Sequence, residues 1–99
     1  MGVRGRHERK LTKRRAVFLD RDGTIIRNVN FMRRIADLKF LPHAARAIRA
    51  FNKLGFLVVV VTNQPVVARG LASPKEIDQI HAVLVRRLMT EGARIDAVY

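Results

Sequence analysis

The sequence has no cysteine, and it sets only eight Asp and Glu against twenty Lys and Arg. Without cysteine there are no disulfides and no thiolate metal sites, so a metal would have to be held by oxygen ligands or by histidine. The three histidines, His7, His43 and His81, are scattered without metal-ligand spacing and read as structural or solvated. Long apolar runs are missing too. Nothing approaches the roughly 20 residues of a membrane span, and the charged start leads into no apolar core of the kind a signal peptide needs. The expectation is a soluble, cytoplasmic protein with one domain in its 99 residues, since 48% apolar and 28% charged residues make an ordinary globular balance.

The shortage of acids is concentrated at one end. Residues 1–15 hold seven cations, from Arg4 to Arg15, against Glu8 alone, which is half of the formal net charge of +12. Such a run is usually a solvated, disordered arm or a linker, and that is the expectation here. The competing reading is a tail steered to the phosphates of nucleic acid. No aromatic residue interleaves the arm to stack on bases, which argues against single-strand recognition.

From Ala16 onward the pattern is that of a folded domain. "AVFL" reads as a short buried strand ended by Asp20, and a small hairpin is expected between Ile25 and Phe40. "PHAARAIRAFNKLG" then repeats Ala44, Ile48, Phe51 and Leu54 at helical spacing, with Pro42 in the first turn and Gly55 as the stop. Leu57 and the valines at 58–61 show no alternation, the mark of a strand in the interior of a parallel sheet. Ser73, Pro74 and Glu76 make a capping box before a second helix with an Ile77, Ile80, Leu84 and Leu88 stripe, stopped at Gly92. A last apolar run, "IDAVY", follows.

Strand, helix, strand, helix, strand predicts right-handed crossovers and an α/β fold with a parallel three-layer sheet and flanking helices. Crossovers stepping one way across the sheet would put both helices on one face, leaving the valine strand bare on the other. The expectation is therefore an incomplete doubly wound fold, or a face covered by another chain through self-association.

In open parallel sheets ligands bind beyond the carboxyl ends of the strands, where both Asp20 and Thr62 fall. Alternation sends Arg21 to the opposite side and returns Asp22, while Gly23 lets the chain turn sharply and bring backbone amides to a phosphate. Several readings of Asp20-Arg21-Asp22 compete. A calcium loop of the EF-hand type would need its glycine at Ile25 and its glutamate at Phe31 and is excluded. A glycosyltransferase-type metal pair leaves Thr62 unexplained. Two carboxylates capping a turn is the structural alternative, as a strand end followed by a turn-forming Asn63 is for Thr62.

"VFLDRDGTI" followed by "VVVVTNQPVVARG" resembles the haloacid dehalogenase-like phosphatases, and more narrowly their small members that act on heptose bisphosphate or histidinol phosphate. The resemblance covers residues 16–99 and includes the "LPHAARAI" helix. It implies a Rossmann-like fold, Mg²⁺ and a phosphorylated small-molecule substrate. It makes Asp20 the nucleophile that forms an aspartyl-phosphate and Asp22 the proton donor and acceptor, with Mg²⁺ on Asp20 and on the Asp22 carbonyl. Gly23, Thr62 and Asn63 would contact phosphoryl oxygens, and Arg69 is a candidate substrate-phosphate contact. One carboxylate must stay ionised to attack and the other must exchange a proton, so the pair requires two different environments.

Parts of the family pattern are missing. The later lysine, the acidic residues that complete the Mg²⁺ site and the Cys/His zinc loop have no counterpart here. Asp96 and Glu91 fall at the wrong end of a parallel topology, and Lys75 reads as a solvated first-turn residue. The resemblance therefore implies the N-terminal half of a phosphatase domain, weak or inactive by itself. The alternatives are a catalytically dead binding module, using the basic arm for nucleic acid, and a gene fragment.

Overall fold

A computed structural model describes residues 15–29, 32, 34–63, 67 and 69–99. The basic run and its expected arm lie outside the described residues, apart from Arg15.

Among the described residues three strands, β1 (Ala16–Asp20), β2 (Leu57–Val61) and β3 (Ala97–Val98), alternate with two long α-helices, α1 (Ala44–Lys53) and α2 (Pro74–Thr90). The strands lie in the order β1-β2-β3 and are parallel throughout, with Phe18 beside Val59, Asp20 beside Val61 and Val60 beside Val98. Parallel neighbours need a crossover, and each helix supplies one.

Both helices pack on the same side of the sheet. Ile48 of α1 and Ile77, Ile80, Leu84 and Leu88 of α2 share one core with Val58 and Val60, and all seven are almost wholly buried. Val17 and Leu19 pack against that core, whereas Phe18, of opposite parity, is 67% exposed. The bare face anticipated from crossover handedness is met only in part: Phe18 on β1 stands in solvent, but Val59, of the same parity on the valine strand, is 9% exposed, and the described residues form two layers rather than three.

Local chemistry explains the ends of the elements. The Ser73 hydroxyl accepts from the Glu76 N–H at 3.1 Å and the Glu76 carboxylate accepts from the Ser73 N–H at 2.8 Å, the reciprocal capping box expected at the start of α2. The start of α1 is a correction: Pro42 does not open the helix. Pro42 and His43 form a turn, His43 stands in the left-handed region at φ 71°, and helical geometry begins at Ala44. The cause lies upstream. Leu41 is still bonded through its N–H to the Ile25 carbonyl at 2.9 Å, so the chain must reverse within two residues before it can coil. Leu54, assigned to the apolar stripe by spacing, lies just past the helix end and is 73% exposed.

Among the described residues the expected hairpin between Ile25 and Phe40 shows one antiparallel bridge, Ile26 to Phe40, flanked by the Arg27 N–H bond to the Lys39 carbonyl at 2.8 Å. Its buried residues Ile25, Ile26 and Leu38 close the core next to the end of β1. At the opposite end of the sheet the Asp96 carboxylate takes a strand's place, accepting from the Val58 N–H at 2.7 Å and from Arg94 Nε at 2.9 Å. No helix among the described residues is long and apolar enough to cross a membrane.

Candidate active site

The carboxyl ends of β1 and β2 are held level by backbone bonds. The Arg21 N–H donates to the Val61 carbonyl at 3.2 Å, and the Thr62 N–H to the Tyr99 carbonyl at 2.9 Å. Asp20 and Thr62 thus leave the sheet at the same edge, one residue apart in register. The Asp20 side chain is exposed and, among the described residues, has neither a hydrogen bond nor an ion pair.

Beyond Asp20 the chain folds into a tight loop. The Arg21 carbonyl accepts from the N–H groups of both Ile25 and Ile26 at 3.1 Å, and the Gly23 N–H donates to the Ile26 carbonyl at 2.8 Å. Gly23 makes the reversal at φ +83°, a conformation that an L side chain rarely adopts. Its amide is therefore committed within the loop. The neighbouring amides of Asp22 and Thr24 have no backbone partner among the described residues and are the better placed to meet an anion.

Asp22 occupies a different environment from Asp20. Arg21, buried to 3% exposure, forks its carboxylate: Nε donates to Oδ1 at 3.1 Å and Nη2 to Oδ2 at 2.9 Å. The third arm of the fork, Nη1, lies 3.0 Å from Nε2 of His81 on α2. A guanidinium has only donors, so His81 accepts through Nε2 and carries its proton on Nδ1. Burial lowers the His81 pKa and the Arg21 charge lowers it further, against smaller upward pulls from Asp78 and Asp22. The imidazole is thus kept neutral, the form that can accept.

Spacing alone did not reveal Arg21 and His81. Alternation does send Arg21 away from Asp20, to the helix-covered side with Val17 and Leu19. However, it does not simply point elsewhere, since its guanidinium curls onto Asp22. The signal was available: a residue with the parity of Val17 and Leu19 must be buried, and a buried arginine needs partners. His81 lies one turn beyond Ile77 and adjoins Ile80 on the inner stripe of α2.

The remaining candidates are less tightly drawn together. The Thr62 hydroxyl donates to the Asn63 carbonyl at 3.4 Å, and Asn63 is exposed. Arg69 sits on an exposed turn ahead of α2, with the Gly70 N–H donating to the Val67 carbonyl at 3.0 Å. A cleft of about 400 Å³ runs from Thr62 past Ile77 and Asp78 to His81, with Tyr99 at its rim.

No cluster of three or more His, Cys, Asp or Glu side chains arranged to hold a metal occurs among the described residues. Among the described residues the donors at the strand end are the Asp20 carboxylate, which makes no bond to any of them, and the Asp22 carbonyl, which accepts no backbone bond from them. Both are hard oxygens, and they fit an ion such as Mg²⁺ that uses one or two carboxylates and completes its shell with water and phosphate.

No family model matches the chain. Curated relatives do. The chain is 42% identical over 86 residues to a D-glycero-beta-D-manno-heptose-1,7-bisphosphate 7-phosphatase of Rhodopseudomonas palustris, covering 87% of this chain and 48% of the relative. A second heptose-bisphosphate phosphatase, from Thermosynechococcus vestitus, is 38% identical and covered to 44%. Among solved structures, the D,D-heptose 1,7-bisphosphate phosphatase of B. bronchiseptica, crystallised with magnesium and phosphate, matches with a TM-score of 0.80 at 30% identity. That match covers 86% of this chain and 48% of the other. The chain spans about half the length of the curated relatives it matches.

Proposed function

We propose that this chain, whose sequence and fold are similar to the N-terminal half of haloacid dehalogenase-like phosphatases, carries the nucleophile-bearing part of a Mg²⁺-dependent phosphatase. Its substrate class is a phosphorylated sugar of the heptose 1,7-bisphosphate kind. The observation that carries the reading is the contrast between the two carboxylates. Asp20 stands exposed at the strand edge beside Thr62, with no bond to its side chain among the described residues, while Asp22 is held by a buried arginine.

In this reading Asp20 attacks phosphorus, a bond forms from its carboxylate oxygen, and the bond from phosphorus to the sugar oxygen breaks. Asp22, whose carboxylate keeps 26% exposure, takes up a proton from water as substrate binds and passes it to the departing sugar oxygen. Water then attacks the aspartyl-phosphate, returns a proton to Asp22 and frees Asp20. The Thr62 hydroxyl and the amides of Asp22 and Thr24 face the phosphoryl oxygens, where charge accumulates. Asn63 and Arg69 complete the anion contacts on the β2 side. Held by the Asp20 carboxylate and the Asp22 carbonyl, Mg²⁺ would supply positive charge against the mutual repulsion of the carboxylates and the phosphate dianion. With two protein donors among the described residues it would bind weakly until phosphate arrives.

The test is binding of beryllofluoride, a mimic of the acyl-phosphate, followed by ¹⁹F NMR. The expected result is a bound signal that requires Mg²⁺, is displaced by heptose 1,7-bisphosphate and is absent in Asp20→Asn. A bound signal that survives Asp20→Asn, or no bound signal in the unsubstituted chain at millimolar Mg²⁺, overturns the reading.

A further inference from the structure

We propose that Arg21 and His81 are positioning residues for Asp22: α2 fixes, through the imidazole of His81, the guanidinium that fixes the Asp22 carboxylate. The three groups come from two elements 60 residues apart and meet through bonds of 3.1, 2.9 and 3.0 Å. The proposal rests on the phosphatase reading for its consequence, since Asp22 is there the group that moves protons. Its geometric content is independent of that reading.

Three considerations carry it. First, Asp22 stands on a loop, and a loop side chain keeps one rotamer only if something outside the loop holds it. A bidentate fork does so more firmly than a point charge, because both carboxylate oxygens are fixed in one plane. Second, Arg21 is itself a long side chain with much rotamer entropy to lose. Burial removes its access to water, and His81 supplies the acceptor for the arm that Asp22 does not use. Third, the link couples the loop to a helix that buries four side chains in the core. His81 follows Ile80, and α2 sinks Ile77, Ile80, Leu84 and Leu88 into the core, so the imidazole stands on a rigid support. The expected role for Asp22 is thus to hold one orientation before substrate arrives, so that the proton step needs no search. His81 also lines the cleft beside Thr62, which places the second arm of this device at the wall of the site.

NMR of the 99-residue chain tests the arrangement without relying on turnover. In the unsubstituted protein the His81 ¹⁵N shifts should report an unprotonated Nε2 and a protonated Nδ1, and the Arg21 Nε–H should exchange slowly with water. His81→Gln retains an acceptor and should leave that exchange within about threefold. His81→Phe keeps the ring but not the acceptor. It should speed the exchange at least about tenfold and move the Asp22 carboxyl ¹³C signal. Where phosphomonoester turnover is measured, His81→Phe should lower kcat with KM little changed, and His81→Gln should restore it.

A protonated Nε2 in the unsubstituted chain overturns the proposal and requires no variant to fold. So does a His81→Phe protein, folded by its amide spectrum, in which the Arg21 and Asp22 signals are unmoved. Equal acceleration in Gln and Phe variants also overturns it, because packing rather than the acceptor would then be responsible. Failure of the phosphatase reading looks different: Asp20→Asn still binds beryllofluoride while the Arg21 and His81 signals stay as described.

Discussion

The guanidinium of Arg21 and the imidazole of His81 meet at 3.0 Å across 60 residues of sequence, and the bond requires the imidazole to be neutral. Burial, then the Arg21 charge, lowers the folded-state pKa of His81 below its ordinary 6.5. In the window from about pH 6.5 down to that lowered value the unfolded chain holds the extra proton. Stability is therefore complete above pH 6.5 and falls as acid is added. Urea midpoints of the unsubstituted chain and of His81→Gln, compared between pH 7.5 and 5, should diverge in acid, with the unsubstituted chain losing more. A difference independent of pH would remove His81 as the cause.

Asp20→Asn should separate function from stability. The Asp20 carboxylate is exposed and makes no bond among the described residues, so its loss should change unfolding free energy by no more than about 0.5 kcal/mol while abolishing phosphoryl-mimic binding. Asp22→Asn should be costly instead, because it leaves the buried Arg21 charge without its partner. A loss of about 3 kcal/mol is expected for breaking a buried pair from one side, somewhat less here because Asp22 keeps 26% exposure. Chemical denaturation of the two variants side by side decides the point, and equal costs would mean that the two carboxylates occupy equivalent environments.

Ser73→Ala should cost about 1 kcal/mol by releasing the Glu76 N–H at the start of α2. Glu76→Gln should be milder, since the amide oxygen can still accept from the Ser73 N–H. Thermal melts of both variants rank the two bonds, and the reverse order would assign the stabilisation to the Glu76 charge at the helix N-terminus rather than to the cap.

Where sequence reasoning succeeded, the deciding interactions were local or periodic. The capping box needs only Ser73 and Glu76, and the α2 stripe needs only spacing. The parallel placement of β2 follows from a valine run with no alternation. It failed where a distant segment set the outcome. Pro42 is a sound first-turn residue by itself, but the Leu41 bond to the Ile25 carbonyl delays the helix to Ala44. Leu54 fits the stripe by number and misses it because the helix has already ended. In the site, the strand-edge placement of Asp20 and Thr62 was legible from topology. The partners of Asp22 were not, because they depend on an arginine and a histidine brought together only when α2 packs into the shared core.

The uncovered sheet face yields the last prediction. On the side that neither helix covers, Phe18 of β1 is 67% exposed, whereas its neighbour Val59 on β2 is 9% exposed, so the open patch is centred on the Phe18 ring. An aromatic ring standing in water contributes little to the core, so Phe18→Ser should leave the unfolding free energy of the isolated chain within about 0.5 kcal/mol. The same ring is the largest apolar group on a strand face that a parallel sheet normally buries. We therefore expect the unsubstituted chain to self-associate through this face. Sedimentation velocity should show a mean mass that rises with concentration, and Phe18→Ser should flatten the rise while keeping the melt cooperative. If Phe18→Ser instead costs 2 kcal/mol or more, the ring is buried in solution, as about that much is expected for truncating a packed aromatic. A concentration-independent monomer in which Phe18→Ser is neutral would mean that the face stays in water, and self-association would be ruled out.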